Sequence, residues 1–224
     1  VDGQQRRTPW AVVYLHGFSA SRLETAPLAE QVAKKLQANL FATRLTGHGG
    51  PPEALAAARV SDWLADAVEA VRIGYALGER VLLIGNSTGA TLGAWLAQRP
   101  EVAGVPIARQ VWLSPNFGPA DRRTKLLTGP WGVQLARAIT GGTVGEASDN
   151  PQINAAWTRR YPVEALLPMM ALVERVRDGD WSRVETPVLI LYSPRDQVVD
   201  PAETVRVFRY LARSGSRLEA VAEG

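Results

Sequence analysis

Five consecutive residues, Gly85-Asn86-Ser87-Thr88-Gly89, set a hydroxyl nucleophile between two glycines at the spacing GxSxG. They follow an apolar run, residues 81 to 84 (VLLI), and lead into a helix-forming segment, Ala90 to Ala97. Glycines two before and two after the serine let a strand and a helix pass close together. The serine can then occupy a strained turn with its hydroxyl exposed above a sheet edge. With 20 glycines and ten serines in 224 residues, chance supplies about 0.08 such matches, and fewer with a strand on one side and a helix on the other. The chemistry such a serine performs is acyl transfer.

A serine hydroxyl is a weak nucleophile alone, and acyl transfer places negative charge on the carbonyl oxygen. The site therefore needs a base and two donors aimed at that oxygen. The Thr88 amide is the first donor. The second is expected from the loop after the first buried strand, Leu15-His16-Gly17-Phe18-Ser19-Ala20, where the Phe18 amide is the candidate. A third loop follows the run VLILY and reads Ser193-Pro194-Arg195-Asp196-Gln197-Val198-Val199-Asp200-Pro201. An aspartate in the turn after a strand can orient an imidazole and stabilise its cation, which makes Asp196 the candidate acid. Asp200, immediately before Pro201, suits the N-cap of the next helix.

These loops must be carried by something rigid. Residues 11–15 (AVVYL), 81–84 (VLLI), 111–113 (VWL) and 188–192 (VLILY) are short apolar runs of the kind that parallel sheets bury on both faces. Helical stripes lie between and after them: Leu28, Val32 and Leu36; Leu64, Val68, Val71 and Tyr75, behind a start at Ser61-Asp62; Val205, Phe208, Leu211 and Ala212. Strand and helix alternate, which is the pattern of a doubly wound α/β sheet with right-handed crossovers. From Gly118 to Glu185 no strand-like run occurs. Trp131, Leu135 and Ile139 form one stripe there, and Leu166, Met169/Met170, Val173 and Val176 another. This stretch reads as a helical insertion whose apolar faces bury themselves at the carboxyl edge of the sheet, where open α/β folds bind ligands.

Composition narrows the alternatives. The chain has no cysteine, which excludes disulfides, thiolate catalysis and thiolate metal sites, and its two histidines, His16 and His48, have no metal-ligand spacing. No metal and no cofactor is expected. Twenty-five basic against 22 acidic residues leave a charge of +3, and the arginines are scattered, so a nucleic-acid surface is not expected either. No apolar run reaches the length of a membrane span, and VDGQQRRTPW lacks the h-region of a signal peptide. The chain reads as soluble, with its compartment open and the cytoplasm favoured.

His16-Gly17-Phe18, Gly85 to Gly89, and Asp196 followed by Gln197-Val198-Val199-Asp200-Pro201, in this order, resemble the α/β-hydrolase fold, in particular its esterase and monoacylglycerol-lipase-like branch. Arg44-Leu45-Thr46-Gly47-His48-Gly49 and Ser61-Asp62-Trp63 are similar to the loop and helix that follow the next strand of that branch. The resemblance implies a doubly wound, mostly parallel sheet with helices on both faces, formed by residues 1–117 and 186–224. It places a helical cap, residues 118–185, after the strand ending near Phe117. It further implies a serine carboxylesterase without cofactor, in which Ser87 forms the acyl-enzyme, Phe18 and Thr88 hold the oxyanion and Asp196 orients a histidine. The apolar cap residues Trp131, Trp157, Met169 and Met170 suggest a small-molecule ester with an apolar acyl chain. Thioesters, lactones and amides use the same apparatus, and oligomeric state is not legible.

One part of the pattern is missing. The resemblance orders the residues serine, acid, histidine, and no histidine follows Asp196. It makes His16 and His48 structural or pocket-lining. The base is therefore expected beyond Gly224, and the 224-residue species is expected to be nearly inactive by itself, since loss of a triad member costs on the order of 10⁴ to 10⁶ in turnover. A non-catalytic protein of the same fold that binds a small apolar ligand is the alternative.

Overall fold

A computed structural model of the chain describes residues 6–120, 132–146, 148–211 and 214–221. In chain order its strands are β1 (Thr8–Leu15), β2 (Asn39–Ala42), β3 (Gly78–Asn86), β4 (Arg109–Leu113), β5 (Thr143–Val144), β6 (Tyr161–Pro162), β7 (Val188–Tyr192) and β8 (Arg217–Ala220). Six of them form one parallel sheet in the order β2-β1-β3-β4-β7-β8. The helices are α1 (Leu28–Leu36), α2 (Pro52–Ala57), α3 (Val60–Leu77), α4 (Thr88–Gln98), α5 (Pro100–Ala103), α6 (Gly132–Thr140), α7 (Pro151–Ala156), α8 (Leu166–Arg177) and α9 (Pro201–Tyr210). Among the described residues, no helix is long and apolar enough to cross a membrane.

Side-chain alternation along β1 explains why the sheet is covered on both faces. Val13 and Leu15 enter one apolar cluster with residues of α3, α4 and α8, while Val12 and Tyr14 enter another with Ala29 and Ala33 of α1. The long central strand β3 divides its residues the same way, Val81 and Leu83 to the first cluster and Ile84 to the second.

The helices occur where the apolar stripes predict them, but their buried seams are shifted. In α1 the buried residues are Ala29 and Ala33, whereas Leu28 and Leu36 of the expected stripe are exposed. In α3 they are Trp63, Ala67, Ala70, Val71 and Gly74, with Leu64, Val68 and Tyr75 beside them. Small residues win these seams because they let a helix axis approach the sheet. A Cβ on Gly74 would stand 2.3 Å from Val13 Cγ2. Asp200 caps α9 as its position before Pro201 implies, its side chain accepting the Ala202 amide.

The stretch between β4 and β7 departs from expectation in two ways. It contains a short antiparallel ribbon, with Thr143 opposite Pro162 and Val144 opposite Tyr161; two-residue strands carry no periodicity to read. In its first helix two stripe residues face outward, Leu135 54% and Ile139 75% exposed, while the Ala136 side chain is buried. Trp131 lies outside the described residues. The second stripe is buried, Met170, Val173 and Val176 of α8 along with Leu172, and this helix packs against α4.

Candidate active site

Register brings the proposed residues to one edge. Leu15 pairs with Gly85, Asn86 with Leu113, and Leu113 with Leu191, so β1, β3, β4 and β7 end nearly level. Their following loops carry Phe18, Ser87, Asn116 and Asp196. In an open parallel sheet this carboxyl edge is where ligands bind.

Ser87 sits between β3 and α4 with φ 49° and ψ −112°, a conformation that L residues rarely adopt. The two motif glycines explain how the chain reaches it. A Cβ on Gly85 would lie 2.5 Å from the Gly89 carbonyl, and one on Gly89 would lie 2.0 Å from Leu15 O. The turn is then closed by backbone bonds: the Ser87 amide donates to Leu113 O at 2.9 Å, and Ser87 O accepts from the amides of Thr91 and Asn116. Thr91 Oγ1 fastens the next loop by donating to Asn116 O at 2.7 Å. Thr88 begins α4, so its amide is one of the N–H groups that no helix carbonyl accepts.

The loop after β1 is held differently, by side chains. His16 is buried; its Nε2 accepts the Leu45 amide at 3.1 Å, and its Nδ1 lies 2.9 Å from Gly17 O. With Nε2 an acceptor, the ring is neutral and Nδ1–H donates. Burial, with nearby His48, pushes the His16 pKa down to about 4. His48 repeats the arrangement: Nε2 accepts the Ser19 amide at 3.1 Å, Nδ1 lies 3.2 Å from Thr46 O, and burial lowers its pKa too. Both rings have both nitrogens committed to backbone partners, as the structural reading of these histidines expects. The Phe18 amide between them has no acceptor among the described residues.

Asp196 lies in the turn after β7. Its Oδ1 accepts the amides of Val198 at 2.8 Å and Val199 at 3.0 Å, and Oδ2 has no hydrogen-bond partner among the described residues. The turn is tied to the chain leaving β4, where the Asp200 amide donates to Gly118 O and the Ala120 amide to Val198 O. The carboxylate is thus immobilised by one oxygen and open to a donor at the other.

Sequence reasoning missed a polar group at this edge. Glu24, in the loop between β1 and α1, accepts the Gly17 amide at 2.6 Å and the Tyr14 hydroxyl at 2.8 Å, and lies beside the Asn86 side chain. Thr25 Oγ1 in turn donates to the Tyr14 oxygen. Burial pushes the Glu24 carboxyl up against these hydrogen bonds, and burial followed by the nearby Glu24 raises Tyr14 well above the usual phenol range. The only local signal was a carboxylate seven residues past Gly17.

Residues 12–224 match the alpha/beta hydrolase family. The chain belongs to this family. Among curated members it is 29% identical over 203 residues to a thermostable monoacylglycerol lipase from a Bacillus species, a match covering 90% of this chain and 76% of that one. Among solved structures, a metagenome-derived lipolytic enzyme superposes with a TM-score of 0.74 at 24% identity, covering 96% of this chain and 84% of the other. The Paleococcus ferrophilus monoacylglycerol lipase gives 0.68 at 19% identity, covering 96% of this chain and 86% of the other. At these identities the superpositions show the alpha/beta hydrolase fold, with its six-stranded parallel sheet and flanking helices.

Proposed function

We propose that the protein is a serine carboxylesterase of the lipase-like kind. Ser87 attacks the ester carbonyl, the amides of Phe18 and Thr88 receive the oxyanion, and Asp196 orients the histidine that removes the serine proton. The observation that carries this reading is Ser87 in its positive-φ turn between Gly85 and Gly89, with an uncommitted amide next to it. The commitments of His16 and His48 leave neither ring free as base, so we assign that role to a histidine outside residues 1–224. By itself the 224-residue chain is then nearly inactive.

Residues 118–185 are proposed to act as a cap. Thr158 donates to Ser19 O at 2.6 Å, Ala20 bridges Trp157, and Phe18 meets the Tyr161 ring edge to face at 5.3 Å, so this segment already touches the loop that carries the second oxyanion donor. A cleft of about 290 Å³ opens at the contact, lined in part by Ser19, Ile153, Trp157 and Tyr161. Its walls mix Ile153, Trp157 and Tyr161 with Glu146 and Arg159; the monoacylglycerol lipase among the relatives supports an ester of an apolar acyl chain as substrate.

The test uses the full-length protein with p-nitrophenyl esters and a fluorophosphonate. Hydrolysis and a single phosphonyl adduct are expected, both lost in Ser87→Ala. Asp196→Asn keeps an acceptor for the Val198 and Val199 amides but offers an NH₂ where a carboxylate oxygen faced the imidazole. It is expected to fold normally and lose about 10⁴-fold in kcat. Apolar ligand binding without hydrolysis or adduct would replace the esterase reading by the binding-protein one.

A further inference from the structure

We infer that Glu24 is a positioning residue for the oxyanion donor, its carboxyl tying the loop after β1 to the nucleophile turn. The inference rests on the esterase reading above. Three pieces of chain meet on this one group: Tyr14 at the end of β1, the Gly17 amide in the loop, and the side chain of Asn86, the residue before Ser87. Gly17 is wedged between the carboxyl and the serine. A Cβ built on it would stand 2.9 Å from Glu24 Oε2 and 3.4 Å from Ser87 Cβ.

The geometry explains how Glu24 acts without touching substrate. Its Oε1 draws the Gly17 amide toward itself, which leaves the following amide, that of Phe18, to face elsewhere, and that amide has no acceptor among the described residues. The Asn86 contact sets the loop's distance from the turn that carries Ser87 and Thr88. An oxyanion hole works only when both donors reach one oxygen, and a displacement of about 1 Å can cost 10²-fold.

Other roles for Glu24 fit less well. Among the described residues no ion pair involves it; the neighbouring Arg22 pairs with Glu30. A half-buried carboxyl without a cation is costly unless donors satisfy it, and here the donors are the Gly17 amide and the Tyr14 phenol.

The experiment compares wild type, Glu24→Ala, Glu24→Gln, Tyr14→Phe and Ser87→Ala in the full-length protein. It measures kcat and KM on p-nitrophenyl butyrate, inhibition by phenylboronic acid, and Tm. The boronate adduct of a serine places a tetrahedral oxygen in the oxyanion hole, so it reports hole geometry apart from turnover. Glu24→Ala is expected to lower kcat about 30-fold and weaken the boronate by a similar factor, with KM within about 3-fold. Glu24→Gln keeps an acceptor for Gly17 and Tyr14 and should recover to within about 3-fold of wild type. Tyr14→Phe removes one of the three ties and should cost about 3-fold.

Wild-type kcat and boronate affinity in folded Glu24→Ala, with Ser87→Ala inert, would overturn the positioning role and leave the esterase reading intact. If Glu24→Ala does not fold, undiminished kcat and undiminished boronate affinity in folded Tyr14→Phe overturn it instead. Full turnover in Ser87→Ala would overturn both.

Discussion

The nucleophile turn and the loop after β1 sit on neighbouring strands at the same sheet edge, yet they are held by different physics. The turn is shaped by steric exclusion: a Cβ at Gly85 would meet the Gly89 backbone and one at Gly89 the backbone of Leu15 on β1, and Ser87 between them takes φ 49°. The loop is shaped by polar side chains drawn from further away. His16, Glu24 and His48 each take up a loop amide or carbonyl, and Thr158 donates to the loop from the opposite side. A steric device fails outright when violated. A set of hydrogen bonds fails by degrees and responds to pH.

The largest expected effect separates the two devices. Gly89→Ala places a methyl 2.0 Å from a backbone oxygen that cannot swing aside, so either α4 or β1 must shift. A loss of at least about 3 kcal/mol is expected, or failure to fold, read by urea unfolding. A Gly89→Ala protein with wild-type stability would show that the turn is not sterically determined, and the contrast with the loop would disappear.

The loop's signature is acid sensitivity. His16 has its folded pKa pushed down to about 4 from an ordinary value near 6.5, so below pH 6.5 the unfolded chain binds a proton that the folded chain refuses. The contribution to stability is full above pH 6.5 and is lost as pH falls from there towards 4. For a side chain this buried the loss amounts to about 3 kcal/mol. His48 slopes the same way. Glu24, raised by burial, slopes oppositely: its contribution is present at low pH and lost as pH rises through its folded pKa. His16→Gln should flatten the pH 6.5 to 4 limb of an unfolding-stability profile. An unchanged slope would assign the acid sensitivity to another group.

This difference also decides what the sequence reveals. GxSxG is legible because its two glycines and its serine stand within five residues, and the strand before it and the helix after it have local periodicity. Asp200 is legible for the same reason: a cap and its proline are neighbours. Glu24 is not, because nothing in Arg22-Leu23-Glu24-Thr25 says that its partners are Tyr14, Gly17 and Asn86; only the parallel pairing of β1 with β3 brings them together. The helix seams failed in the same way. Leu28 and Leu36 form a good stripe, but the sheet accepts Ala29 and Ala33, and contact distance outweighs side-chain hydrophobicity. For α6 the failure is one of partner: its stripe is real, but Leu135 and Ile139 face outward.

The smallest expected effect on stability is the most informative about coupling. Gly17 has no positive φ to protect, and the methyl of Gly17→Ala would meet Glu24 Oε2 at 2.9 Å, the end of a side chain that can give way. The expected stability cost is therefore only about 1 kcal/mol. Giving way, however, means loosening the grip on the loop amide, so kcat should fall about 10-fold while KM holds. If the methyl acts through the carboxyl, removing the carboxyl first should abolish its effect. Gly17→Ala combined with Glu24→Ala should then be no slower than Glu24→Ala alone, whereas independent sites would multiply their losses. A multiplicative result would mean that Gly17 shapes the loop by its own backbone, as Gly85 and Gly89 shape the turn, and the two regions would share one physics after all.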